Sequence, residues 1–96
     1  MITHIVFFKL SKPTPENIAG TREKLLSMSG KIPELRHLEV GTDVIRSERS
    51  YDLALITRFD SIADLQAYQV HPLHAGEVLP YLKSVCSSIV VVDYQS

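Results

Sequence analysis

Aromatic and β-branched side chains alternate along residues 2–10. Ile2, His4, Val6, Phe8 and Leu10 fall on one face of an extended strand, and Thr3, Ile5, Phe7 and Lys9 on the other. The first face is apolar apart from His4, so it should lie against helices. The second carries two large apolar groups, Ile5 and Phe7, and a second copy of the chain covering that face would account for them. Ser11-Lys12-Pro13 ends the strand.

Thr14-Pro15-Glu16 has the form of a helix start, with a cap, a proline at the first position and an acid in the first turn. The helix is expected to run to about Ser29, where Gly30 stops it. Ile18, Leu25 and Leu26 form its apolar stripe, with Arg22 between them and Ala19 and Met28 at the edges. Residues 35–44 read as a second strand, Leu38 and Val40 alternating with a solvent-facing His37 and Glu39, and Gly41 as a bulge. A polar turn at 45–50 leads to a third strand at 51–59. Tyr51, Leu53, Leu55 and Phe59 share one face; Asp52, Ala54, Ile56 and Arg58 share the other. Residues 87–94 close the chain as a strand. Its Ile89-Val90-Val91-Val92 run is apolar on both faces, the pattern of a central strand covered on both sides.

Between the third and last strands the helical pattern is interrupted. Ser61 caps a helix that carries Ile62, Leu65 and Ala67-Tyr68, with Asp64 in the capping-box position. Pro72 favours starting a helix and pushes His71 toward extended backbone. One helix should therefore end near Gln69 and another begin at Pro72, with Pro80 kinking or splitting the second. His74 then lies in a first helical turn, where free N–H groups and the positive dipole end favour neutral imidazole. A neutral imidazole accepts a proton, and Tyr68 offers a hydroxyl nearby, which makes an acid–base pair. The other reading of the same residues is structural: a tyrosine and histidines satisfied by local hydrogen bonds at helix ends.

The order β-α-β-β-α-β is that of a ferredoxin-like α+β fold with a four-stranded antiparallel sheet, and 96 residues suit a single domain spanning 1–96. Net charge is −1 and no basic patch appears, so nucleic acid is not an expected partner. Arg46-Ser47-Glu48-Arg49 carries its own acid and reads as a solvated loop. The one cysteine, Cys86, excludes an internal disulfide and four-cysteine metal sites, and reads as a small buried filler. His71 and His74 straddle a proline and do not present the i, i+4 pair of many zinc sites, so a metal is not expected. No apolar run reaches membrane-span length, and the opening residues lack the basic lead and cleavage pattern of a signal peptide. A cytoplasmic protein is expected.

Taken in order, His4-x-Val6, Ile32-Pro33, Gly41-Thr42-Asp43-Val44, Tyr51-Asp52-Leu53-Ala54-Leu55, Phe59-Asp60-Ser61, Tyr68, His71-Pro72-Leu73-His74 and Val92-Asp93-Tyr94 resemble the stress-responsive dimeric α/β barrel (Dabb) family. The resemblance covers essentially the whole chain. It implies a homodimer whose two sheets face each other as a barrel, with a pocket for a small-molecule ligand between sheet and helices in each subunit. Similarity to the plant olivetolic acid cyclase within that family implies cofactor-free chemistry, with catalytic positions at His74, Tyr68, His4 and His71. In that scheme His74 takes a proton from the carbon beside a carbonyl, Tyr68 donates a hydrogen bond to the carbonyl oxygen, and His4 orients His74 or the substrate. The chain departs from the cyclase where substrate is gripped. Gly20 to Leu26 has no aromatic residue, and Glu77 stands where an apolar pocket wall is wanted. Two readings follow: cyclase- or lyase-like chemistry on a small carbonyl compound, or a non-catalytic stress-responsive binding dimer.

Overall fold

The computed structural model describes residues 1–96. Strands β1 (Ile2–Leu10), β2 (His37–Thr42), β3 (Leu53–Phe59) and β4 (Cys86–Gln95) form one antiparallel sheet in the order β2-β3-β1-β4. Helix α1 (Pro15–Leu26) joins β1 to β2. Helix α2 (Ile62–Val70), a π-helical turn (His74–Val78) and α3 (Leu79–Val85) join β3 to β4. This is the ferredoxin-like arrangement that the hydrophobic pattern predicts.

The apolar inner face of β1 and β3 makes half of the core, through Val6, Phe8, Leu55 and Phe59. The helices bring Leu25, Leu65, Tyr68, Val78 and Leu82 against it. The opposite face of the sheet is uncovered: Phe7 is 44% exposed and Val92 61%.

Local chemistry sets the helix ends. Thr14 Oγ1 accepts the Asn17 N–H, and Ser61 Oγ accepts the Asp64 N–H, each satisfying a first-turn donor that the helix leaves free. Helix α1 stops at Leu26, not Ser29. Residues 27–31 are tightened turns that end through Gly30 at φ 73. Its buried side is Thr21, Leu25 and, just beyond, Met28, with Ile18 half-buried; Arg22 and Ala19 face water. Thr21 is tolerated inside because its hydroxyl donates to the Asn17 carbonyl at 2.8 Å.

Three strand expectations are corrected. Gly41 makes no bulge, since β2 and β3 pair in unbroken register with Gly41 opposite Ala54. The irregularity lies between Lys9 and Leu10 against β4, where the Leu10 N–H turns to the buried Asp52 carboxylate at 2.7 Å. The same carboxylate accepts from the Arg46 guanidinium at 2.9 Å, so Arg46 anchors the loop read as solvated. The third correction is larger: β4 is an edge strand, not a central one, and Ile89, Val90, Val91 and Val92 are 38% to 61% exposed.

Helix α2 ends at Val70 because His71 takes ψ 137, the extended backbone that Pro72 imposes. Pro80 does not split the following helix. The Leu79 N–H bonds to His74 O, five residues back, and this widened turn takes up the proline's missing donor and its ring.

Candidate active site

His4 enters the space between sheet and helices from β1, where it is the one polar side chain on an apolar face. Its cross-strand neighbour on β4 is Asp93. The His4 Nδ1–H donates to the Asp93 carboxylate, and the imidazole is buried while the carboxylate is 40% exposed. With Nδ1 so engaged, Nε2 makes no hydrogen bond within the chain.

Tyr68 comes from the last turn of α2. Its ring packs on Phe59 at 5.0 Å, on His74 at 4.5 Å and on His4 at 6.2 Å between centroids. Its hydroxyl is buried and has no hydrogen-bond partner. Burial pushes the phenol well above its ordinary range, so the group stays protonated and can only donate or accept hydrogen bonds.

His74 lies just past the helix break. Its Nδ1 is 3.0 Å from the Gln69 carbonyl oxygen. A carbonyl only accepts, so Nδ1 carries the hydrogen and the neutral ring keeps its lone pair on Nε2. Burial lowers the His74 pKa. The Gln69 bond works in the opposite direction, and the neighbouring His4 and His71 lower it further. The imidazole is therefore held as a free base.

These side chains share a cavity of about 190 Å³. His4, Tyr68, His74 and Asp93 form its polar end, and Leu25, Met28, Leu55, Val78 and Leu82 are among its apolar walls. The strand imidazole and the imidazole–phenol pair at the interrupted helix thus converge on one space, on the same side of the sheet. His71 does not join them. Its Nδ1 accepts the Leu73 N–H at 3.1 Å, which fastens the start of the next helix, and it does not line the cavity. Glu77 is exposed and lies outside the cavity too, because the widened turn presents Val78 and Leu79 as the wall instead. His37 lies away from the cavity, 3.5 Å from the Glu39 carboxylate.

Sequence reasoning missed Asp93. A signal was available, since Asp93 follows Ile89 and Val91 at alternate positions as the single acid on an apolar strand face. Pairing it with His4 requires knowing that β4 lies beside β1.

Residues 2–96 match the family described as Stress responsive A/B Barrel Domain. Among solved structures, a dimeric protein of unknown function with a ferredoxin-like fold from Bacteroides fragilis is 29% identical. The match covers 99% of this chain and 95% of that one, with a TM-score of 0.83. A dimeric ferredoxin-like protein of unknown function from Thermobifida fusca is 27% identical over 99% and 90% of the two chains, with a TM-score of 0.86. A hydroxynitrile lyase from Passiflora edulis shares the fold at 23% identity over 97% and 90%, with a TM-score of 0.82. No curated protein sequence matches significantly.

Proposed function

The chain belongs to the stress-responsive A/B barrel domain family, and on that footing we propose that it is a homodimer performing cofactor-free proton transfer on a small carbonyl compound. One observation carries the reading. A single cavity holds two imidazoles whose Nδ1–H groups are already satisfied, beside a buried phenol hydroxyl with no partner.

The roles follow from which atoms are free. His74 Nε2 takes the proton from the carbon beside the carbonyl. The electron pair of that C–H bond moves to the carbonyl oxygen, giving an enolate. Tyr68 O–H donates to that oxygen as charge develops, and His74 returns the proton to carbon or to an attacked acceptor. A buried hydroxyl without a partner costs about 1–3 kcal/mol. The enolate oxygen supplies the missing partner, so that cost is recovered along the reaction path. His4, held by Asp93, aligns the substrate from the opposite wall. A volume of about 190 Å³ lies below the roughly 300 Å³ at which drug-sized pockets begin, so the enclosed part of the substrate is small. The hydroxynitrile lyase of the same fold carries the fold only; the chemistry proposed rests on the site.

A second reading has its own support. The His74 and His71 rings each bond to backbone at the helix break, as they would in a dimer that binds a carbonyl compound without turning it over. Deuterium uptake into the methyl group of acetophenone in D2O, followed by NMR, separates the two. The catalytic reading expects exchange above the buffer rate, abolished in His74→Ala. Binding of the ketone without any accelerated exchange would leave only the second reading.

The dimer is proposed to form through the uncovered sheet face. Phe7, Val90, Val92 and Tyr94 are exposed there, and two of the similar structures are of proteins described as dimeric.

A further inference from the structure

Outside the cavity, a groove of about 400 Å³ runs between α2 and the C-terminal end of β4. Its floor is Ile2 and Leu65, both buried, and its helix wall includes Ile62, 60% exposed, with Gln66 and Gln69. Ile62, Leu65, Gln66 and Gln69 are spaced i, i+3, i+4 and i+7, so one face of α2 builds that side. Gln95 stands on the strand side. Its Nε2 already donates to the Met1 carbonyl, which leaves its amide oxygen to accept. Gln66 and Gln69 have carboxamides free of any bond within the chain.

Two features connect groove and cavity. Gln69 and Asp93 line both, so the two concavities meet at a shared rim. The rim also carries the chemistry of the site, since the Gln69 carbonyl holds His74 and the Asp93 carboxylate holds His4. Electrostatics then narrows the occupant. No lysine or arginine lines either space, and the one charged group on the rim is the Asp93 carboxylate. Such a lining gives a phosphate or carboxylate no counter-charge and places an acid in its path. An apolar floor edged by carboxamides suits an uncharged chain that offers both methylene surface and hydrogen-bonding groups. The groove opens at the edge of the sheet, and Tyr94, exposed on the face proposed for the dimer, also lines it.

We infer that this groove is the outer half of the same binding site. It holds the uncharged, hydrogen-bonding distal segment of a carbonyl compound whose reactive end occupies the inner cavity, and it selects against substrates with an anionic handle. The inference rests on the proposed carbonyl chemistry and adds the substrate's shape and charge.

The test uses three ketones: acetophenone, its para-substituted homologue with a flexible alcohol-terminated arm, and the same arm ending in carboxylate. Binding is followed by ¹⁵N NMR, in which the glutamine carboxamide signals report the groove and the backbone signals of residues 4 and 74 report the cavity. All three should move the cavity signals. Only the alcohol-armed ketone should move Gln66 and Gln95, and it should bind about tenfold tighter than acetophenone. In Gln66→Ala the affinity ratio of the armed to the short ketone should fall about three- to tenfold. The carboxylate arm should lose the whole advantage. If the armed ketone moves the cavity signals but neither Gln66 nor Gln95, and binds no tighter than acetophenone, the groove is no part of the site and the proposed chemistry stands alone. If acetophenone leaves the cavity signals unmoved, the carbonyl reading fails at its root and the groove assignment falls with it.

Discussion

At the scale of single residues, the most informative group is the Tyr68 hydroxyl, buried and without a partner. Replacing it with hydrogen in Tyr68→Phe removes an unsatisfied donor from an apolar setting and keeps the ring on Phe59 and His74. Stability should therefore rise by about 1 kcal/mol, or roughly 4–8 °C in Tm for a chain of this size. Ketone exchange should fall about 10²–10³-fold, the usual cost of losing one donor to a developing oxyanion. Thermal melts and exchange rates on one variant would then move in opposite directions, which a purely structural tyrosine would not produce. His74 gives the pH dependence. Its lowered pKa keeps Nε2 unprotonated below the ordinary imidazole value of 6.5. The exchange rate should hold as pH falls through 6.5 and drop only as pH passes the lowered value. The sign for stability agrees: the unfolded chain binds the His74 proton more readily than the folded chain does. The contribution of this ring is therefore full above 6.5 and is lost as pH falls toward and through the folded pKa. Melts recorded between pH 7 and 5 should show a smaller loss of stability in His74→Ala. Tyr68 and His74 were legible in the sequence because Pro72 fixes where the helix must break, and the break turns both toward one space. His71 was not, because spacing cannot tell whether an extended histidine turns to a cavity or to its own backbone; the Leu73 N–H decides it.

At the scale of elements, the widened turn at His74–Val78 follows from Pro80 and decides what faces the cavity. An α-helical turn would need a donor at residue 80 and would set its ring against the carbonyl of residue 76; the Leu79-to-His74 bond avoids both. Such a turn amounts to one extra residue in the helix. Pro80→Ala supplies the donor and removes the ring, and combining it with deletion of Gly76, which is exposed and has no neighbour within 4 Å of where a side chain would begin, should restore an α-helical turn. That would rotate His74 by about 100° relative to Val78 and Leu82. The expected result is a cooperative melt and unchanged helix content by circular dichroism, with ketone exchange reduced to the buffer rate. Retained exchange would show that the turn has no positioning role. The proline was readable in advance, but the response was not, since a helix can kink, break or widen and the packing of Val78 and Leu82 against the core makes the choice. The last strand posed the same difficulty. Its run of four apolar residues looks central from the sequence. Ile89 and Val91 are apolar because they line the cavity, whereas Val90 and Val92 belong to the sheet face that the monomer leaves open. Periodicity reports that both faces are apolar, not what covers each.

At the scale of the whole molecule, that open face is the strongest constraint on assembly. Ile5 lies between Ile56 and Val92 in register, and Phe7 between Ala54 and Val90, so the apolar surface spans three adjacent strands. Phe7, Val90, Val92 and Tyr94 stay exposed on it in the single subunit, so pairing through it would bury apolar surface. A two-fold axis through it would oppose each patch to its own copy. A charge at its centre should oppose pairing from both sides at once, because each subunit then brings the same carboxylate to the interface. Phe7→Glu and Val92→Glu are therefore expected to be monomeric by sedimentation at concentrations where the unmodified chain is dimeric. The Tm of the unmodified chain should rise with protein concentration, as mass action requires of a folded dimer, and that of the variants should not. His4, Tyr68, His74 and Asp93 line the cavity on the helix side of the sheet, opposite the face proposed for the dimer. A variant that stays folded as a monomer should thus keep its exchange rate per subunit. Loss of exchange in a folded monomer would mean instead that the second copy supplies part of the site, which would move the origin of the chemistry from the subunit to the pair.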